Sequence, residues 1–146
     1  MKDWHDHGYT FTCKRWRFRE PEVRALLKLA YWANQRDAQT NRRALRHAFP
    51  FGVFDPAGHL VGFLRITTDQ ATVYYVADVV VAQEERGKGL GLKLVQYALS
   101  HPRACRGKGM LLTQTAHGLY EKVGFAREGE RLMIRPADAA PVKPGA

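Results

Sequence analysis

Apolar and polar residues alternate with a helical period over the first third of the chain and with a period of two from Phe49 onward. After Glu20-Pro21, a proline suited to a first helical turn, Val23, Leu26, Leu27, Ala30 and Tyr31 recur at helical spacing and predict an amphipathic helix ending near Tyr31-Trp32. A second, more basic helix is predicted over Asp37 to His47, with Arg42, Arg43 and Arg46 on its polar face. Tyr9 to Cys13 reads as a first strand. Phe51 to Phe54, Leu60 to Thr67 and Thr72 to Ala82 read as further strands separated by turn residues at Asp55-Pro56-Ala57-Gly58 and Asp69-Gln70, which predicts an antiparallel meander. The Thr72 to Ala82 strand is apolar on both faces, which predicts a place in the centre of the sheet. Asp78 interrupts it.

The second half adds a helix with apolar face Leu90, Leu94, Val95, Ala98 and Leu99, a short strand at Met110 to Leu112, and a last helix through Ala116, Leu119, Tyr120 and Val123. Gly124 can close that helix in the left-handed conformation. Leu132 to Ile134 is expected to form a final strand, and the Ala- and Pro-rich tail 136–146 to fray. Mixed helices and strands give an α/β (α+β) class. With no internal repeat or linker, 1–146 is expected to be one domain.

Composition narrows the function classes. At 45% hydrophobic and 25% charged residues the chain has the make-up of an ordinary globular domain. It has no apolar stretch near the roughly 20 residues a membrane helix needs and no hydrophobic signal region behind Met1, so no membrane role and a cytoplasmic location are expected. Cys13 and Cys105 are the two cysteines; they form no CxxC pair or metal-spaced His/Cys cluster, so reduced thiols and no metal are expected. The formal charge of +9 favours an anionic partner. Nucleic acid is disfavoured, because the basic residues are dispersed and not interleaved with aromatics as a stacking platform requires.

Candidate chemistry concentrates at Val79-Val80-Val81-Ala82-Gln83-Glu84-Glu85-Arg86-Gly87-Lys88-Gly89-Leu90-Gly91, where an apolar strand enters a glycine-rich turn that opens a helix. Glycines let successive N–H groups converge, and a helix start adds the positive end of its dipole, which suits a pyrophosphate. The GxxxxGK[ST] phosphate loop is excluded, since Ala82 stands where its first glycine belongs. The GxGxxG dinucleotide pattern also fails, because Leu92 and Leu94 occupy its third glycine position in the two possible frames. Arg-x-x-Gly-x-Gly remains.

Downstream stands Ala116-His117-Gly118-Leu119-Tyr120-Glu121-Lys122-Val123-Gly124-Phe125. With both motifs in this order the chain resembles the GNAT N-acetyltransferase superfamily over roughly Glu20 to Ile134. Tyr31-Trp32-Ala33 and Gly62-Phe63-Leu64-Arg65 are similar to a bacterial small-molecule subgroup. The resemblance implies the GNAT fold, a mixed, mostly antiparallel sheet splayed at the coenzyme site. It implies acetyl-CoA as donor, gripped by Arg86, Gly87, Lys88, Gly89, Leu90 and Gly91, with the pantetheine arm on the backbone near Val79 and Val81 and a backbone N–H close to Val80 facing the thioester oxygen. A homodimer is common among such proteins. Thr113 stands where many relatives have asparagine, and Gln114-Thr115 where the subgroup often has an acidic residue, which affects the pantetheine or acceptor contacts.

Acetyl transfer to an amine needs alignment, donors for an oxyanion, an acceptor for the amine proton and an acid for the leaving thiolate. The resemblance implies Tyr120 as that acid, and a phenol with a pKa near 10 is neutral at cytosolic pH. Asp78, a carboxylate in an apolar strand, is the candidate for taking the amine proton, with an ordered water as the alternative. Tyr31, Trp32, Arg65 and His117 are candidates for acceptor binding. The expected function is an N-acetyltransferase acting on a primary amine, small molecule or peptide N-terminus. The competing classes are a non-catalytic acyl-CoA-binding regulator and a basic nucleic-acid-binding module.

Overall fold

The computed structural model describes residues 1–145. Among them, strands β1 (Trp4–Asp6), β2 (Tyr9–Thr12), β3 (Phe49–Phe54), β4 (Leu60–Thr68), β5 (Val73–Val81) and β6 (Lys108–Met110) form one sheet in that spatial order. Every neighbouring pair is antiparallel except β5 and β6, which run parallel. The helices are α1 (Glu20–Leu27), α2 (Ala38–Arg46), α3 (Leu90–Leu99) and α4 (His117–Glu121). This is the mixed, mostly antiparallel architecture expected. None of these helices is long and apolar enough to cross a membrane.

Strand β1 was not foreseen. His7 and Gly8 join it to β2 with φ of 48° and 85°, the two positive values that tight hairpins of matching twist require. Sequence periodicity is weak over a three-residue strand, and the histidine at the turn gives no strong signal.

Helix α1 is shorter than its apolar spacing suggested. Beyond Leu27 the backbone bonds tighten to a three-residue step, with Ala30 N–H on Leu27 O, Ala33 N–H on Ala30 O and Arg36 N–H on Ala33 O. The buried stripe therefore advances through Leu27, Ala30 and Ala33 and turns Tyr31 and Trp32 outward. Helix α2 keeps its expected bounds because the Asp37 side chain accepts from Thr40 N–H at 2.7 Å as its N-cap.

The expectation that β5 is central is corrected. It is fifth in the order, and β6 matches it only along Val73, Tyr74 and Tyr75. It is apolar on both faces because α1 and α3 each pack on it as well as on β4. Gly107 sets the junction with β6: its φ is 80°, and a Cβ there would lie 1.9 Å from Thr72 O, the atom that accepts from Lys108 N–H. The core covers both faces of the sheet, with Phe63 on one and Phe51, Leu64 and Ile66 on the other, and these residues with Phe11 and Leu94 are fully buried. Each such side chain contributes roughly 1.5–3 kcal/mol by leaving water.

The final strand expected at Leu132 to Ile134 is not formed. These three residues are exposed, Met133 by 93%, with no ladder partner. Their apolar character suggested a strand, but pairing also needs a partner edge, and none meets them. Residues 136–145 carry turns without helix or strand, and residue 146 of the tail expected to fray lies outside the described residues.

Candidate active site

Past Tyr75 the two parallel strands part. Val76 to Val79 of β5 keep β4 on one side and face a cleft on the other, across from Leu112 to Ala116. The cleft encloses about 530 Å³, within the range of small-molecule sites. Ala82 N–H donates to Val61 O, so the alternation of an antiparallel ladder turns the Val80 amide toward Phe63 and the Val81 backbone outward. Arg86 Nε already reaches Val81 O at 3.3 Å.

Asp78 is the irregular point of β5. Phe63 pairs with Val80 and Arg65 with Ala77, so Asp78 and Val79 together oppose Leu64 as a bulge. Asp78 has φ of 58°, a left-handed conformation that aspartate tolerates better than most residues. The bulge seats its side chain, 3% exposed, against two guanidinium groups: Arg36 Nη1 and Arg65 Nε both donate to Oδ2 at 2.6 Å. Burial alone would push this carboxyl up; the bond from Arg36, then the charge and bond of Arg65, outweigh it and hold it below the ordinary 3.8. Arg36, Arg65 and Asp78 all line the cleft, together with Tyr31 and Trp32, whose rings meet edge-on with centroids 5.1 Å apart.

Tyr120 closes the inner end. It is 8% exposed and stands between this cleft and a second groove of about 710 Å³ that runs along β6 toward Leu132. Burial pushes its phenol above 10, so the group is neutral and carries its proton at neutral pH. Its position is fixed by the short helix α4, entered through a turn in which Ala116 N–H donates to Thr113 Oγ1 at 3.0 Å. At the other end Phe125 N–H bonds back to Tyr120 O, and Gly124 takes φ of 94°, the left-handed closure expected. His117 lines the second groove and not the cleft that holds Asp78.

The glycine-rich loop leads from β5 into α3. Gly87 and Gly89 have φ of 82° and 75°, and a Cβ on either would meet nothing within 4 Å. Gly89 is the N-cap, and the first intrahelical bond is Lys93 N–H on Gly89 O, so the amides of Leu90, Gly91 and Leu92 have no helical acceptor. Open backbone, free amides and the dipole of a ten-residue helix make this turn fit for a pyrophosphate. Arg86 is exposed beside it. Lys88 is tethered, with Nζ 2.7 Å from Glu85 Oε2 and 3.3 Å from the Tyr9 hydroxyl. Gly91 lies deeper, where a Cβ would sit 3.6 Å from Leu119 Cδ1, so it brings α3 close to α4. No cluster of three or more His, Cys, Asp or Glu side chains suited to a metal occurs among the described residues.

A strand edge opened by a bulge, a buried phenol at its cleft and an anion-ready helix start at the strand's end invite comparison with known proteins. The model of the Acetyltransferase (GNAT) family matches residues 9–125. The chain belongs to the GNAT acetyltransferase family. It is by that membership an acyltransferase, of a family that in general uses acetyl-CoA. A solved GNAT-family protein from Xanthomonas campestris pv. campestris is 30% identical over 91% of this chain and 95% of that one, with a TM-score of 0.81. A candidate acetyltransferase from Deinococcus radiodurans R1 shares the fold at 19% identity, with TM-score 0.72 and coverage of 92% and 94%. Glucosamine-6-phosphate N-acetyltransferase from Arabidopsis thaliana also shares it, at 15% identity, TM-score 0.67 and coverage of 87% and 97%. No curated protein sequence matches.

The GNAT match begins earlier than the resemblance read from the motifs and stops short of Leu132, in keeping with the missing last strand. Of the candidate residues, Tyr31, Trp32, Arg65, Asp78, Val79 and Tyr120 meet at the cleft. Arg86, Gly87, Lys88, Gly89 and Leu90 form the turn that follows β5, whereas His117 lies in the second groove. Sequence reasoning missed Arg36. It falls in a turn with no periodicity, and only its placement across from Asp78, 42 positions away, shows its relevance. It also missed Tyr75, whose strand position suggested packing and whose ring instead lines the cleft mouth.

Proposed function

We propose that this GNAT chain transfers an acetyl group from acetyl-CoA to a primary amine by direct attack in a ternary complex. The observation that carries the reading is the divergence of β5 from β6 after Tyr75, which opens a cleft lined by Val76 to Val79 and Tyr120 on the same strand that runs on into the glycine-rich loop. The amides at the start of α3 and the Arg86 side chain hold the coenzyme's phosphates, with Gly87, Lys88, Gly89, Leu90 and Gly91 forming the cradle. The Val81 backbone, turned outward, binds the amide groups of the pantetheine arm. Acetyl-CoA supplies the thioester carbonyl. The bulge at Asp78 and Val79 presents a backbone amide to the carbonyl oxygen, while Val80 serves the ladder to β4.

Tyr120 gives its proton to the leaving sulfur, and its burial keeps that proton in place until a stronger base arrives. For the amine proton the geometry favours a water over Asp78. A carboxylate that two guanidiniums hold ionised is a weak base, so Asp78 acts by positioning Arg36 and Arg65. The proposal is tested by calorimetry with acetyl-CoA followed by thiol release over a panel of primary amines. Binding with amine-dependent thiol release is expected. Binding without release for any amine would favour the regulator reading, and no binding would end both.

A further inference from the structure

The charged side chains lining the cleft among the described residues are Arg36, Arg65 and Asp78, so one positive charge is left uncompensated. Both guanidiniums are largely buried, with side-chain exposures of 25% and 18%, and this charge is therefore poorly screened by water. Their donors are not all used. Arg36 gives Nη1 and Arg65 gives Nε to Asp78, and Arg65 Nη1 makes a long contact of 3.4 Å to Thr67 Oγ1. Arg36 Nε and Nη2 and Arg65 Nη2 have no acceptor among the described residues. Asp78 fixes both planes through a single oxygen, so the free donors are held in place before a ligand arrives.

Planar donors with one net positive charge recognise one carboxylate. A polycation such as a polyamine or aminoglycoside would meet like charge in a poorly screened site. The mouth of the same cleft is aromatic: Tyr31, Trp32 and Tyr75 are 64%, 49% and 36% exposed, and nothing in the described chain covers them. Apolar surface beside an anion subsite suits a side chain attached to the carbon that carries both amine and carboxylate.

We propose that the acetyl acceptor is an α-amino acid with an apolar or aromatic side chain, its carboxylate held by Arg36 and Arg65 and its side chain against Tyr31 and Trp32. This rests on the acetyltransferase reading above. The amine nitrogen bonds to the acetyl carbon as the carbon–sulfur bond breaks. The nitrogen's proton leaves to water, the sulfur departs as free thiol with the proton of Tyr120, and the proton released to water restores the Tyr120 phenol. Arg36 becomes a specificity-determining residue, and Asp78 a positioning residue for both guanidiniums.

The test compares L-phenylalanine, L-leucine and L-tryptophan with the amines formed by removing their carboxyl groups, and with spermidine, in a thiol-release assay with acetyl-CoA. The kcat/KM for at least one amino acid should exceed that of its decarboxylated amine by about tenfold or more, the scale of a charge-assisted hydrogen bond. Arg36→Gln should cut that ratio about tenfold, and Arg36→Lys, which keeps the charge and loses the planar fork, should restore part of it. Decarboxylated amines or spermidine preferred over every amino acid would overturn the substrate class and leave the acetyltransferase reading standing. Arg36→Gln that is folded and coenzyme-binding with an unchanged ratio would overturn the role of Arg36. Acetyl-CoA binding with no turnover of any amine would overturn both readings.

Discussion

The two halves of the site are made of different material. The turn from Arg86 to Gly91 is a backbone device: two left-handed glycines and the free amides of α3, all within one short segment. The acceptor side is a side-chain device that joins Arg36 from the turns after α1, Arg65 from β4 and Asp78 from the β5 bulge. A backbone device needs particular residue types at fixed local spacing, so it leaves a motif. A side-chain device needs only that the fold bring distant atoms together, and its residues are free to lie anywhere. The same contrast separates what each half can tolerate. Changes in the loop act through conformation and access, whereas changes in the cleft act through charge.

Tyr120 stands where the halves meet, and the largest effect is expected there. Tyr120→Phe keeps the ring in its buried site beside Phe125, with centroids 6.1 Å apart, and removes only the hydroxyl. The kcat should fall by about 10²- to 10⁴-fold, the usual worth of a general acid, while coenzyme affinity and Tm hold. Retention of more than half the wild-type kcat, with chemistry rate-limiting, would reduce Tyr120 to a core residue. The comparison would then lose its shared point.

The loop should respond next most strongly. Gly89→Asp puts a carboxylate on a Cβ that meets no protein atom, in the space left for phosphate. Coenzyme affinity should weaken at least tenfold, or about 1.4 kcal/mol, by calorimetry. Gly89→Ala separates the causes, since it carries the strain of φ 75° without the charge and should lose less. Equal affinity of Gly89→Asp and wild type would mean that phosphate does not approach this turn.

Legibility followed the same division. The meander, helices α2 and α3 and the Gly124 closure could be read because each rests on local periodicity or one turn residue. The loop stood out as a candidate anion site from its glycines and helix start, but only the Ala116 to Phe125 motif downstream tied that pattern to a coenzyme. Arg65 and Asp78 could be singled out, but not as partners, because no local pattern records a pairing across 13 positions and a bulge. Tyr31 and Trp32 were placed at the cleft but on the wrong local structure. The step from four-residue to three-residue bonding after Leu27 depends on packing of Ala30 and Ala33 against the sheet, and small apolar residues fit either period. Leu132 to Ile134 shows the converse: a strand-like composition without a partner edge remains irregular.

The smallest and most discriminating effect is expected at Asp78. Asp78→Asn keeps the size of the side chain and a residue type that tolerates φ of 58°, and it removes the charge that both guanidiniums share. Removing one partner of a fully buried pair costs about 3–5 kcal/mol; here the guanidiniums keep some contact with water and the amide oxygen still accepts, so about 1–2 kcal/mol is expected at neutral pH. The sign follows from the direction of the shift. The folded carboxyl lies below 3.8, so its stabilising contribution is complete above that value and fades as pH falls through the folded pKa. The Tm gap between wild type and Asp78→Asn should therefore be constant from about pH 5 upward and narrow in more acid solution. The pH profile of kcat/KM should keep its shape, since a carboxylate already ionised throughout that range contributes no titration to it. If Asp78 instead took the amine proton, the variant would lose most activity at low pH, where the acceptor is mainly ammonium, and would regain it as pH rises. A pH-dependent rescue of that kind would return Asp78 to the chemistry and make the acceptor side more than a binding device.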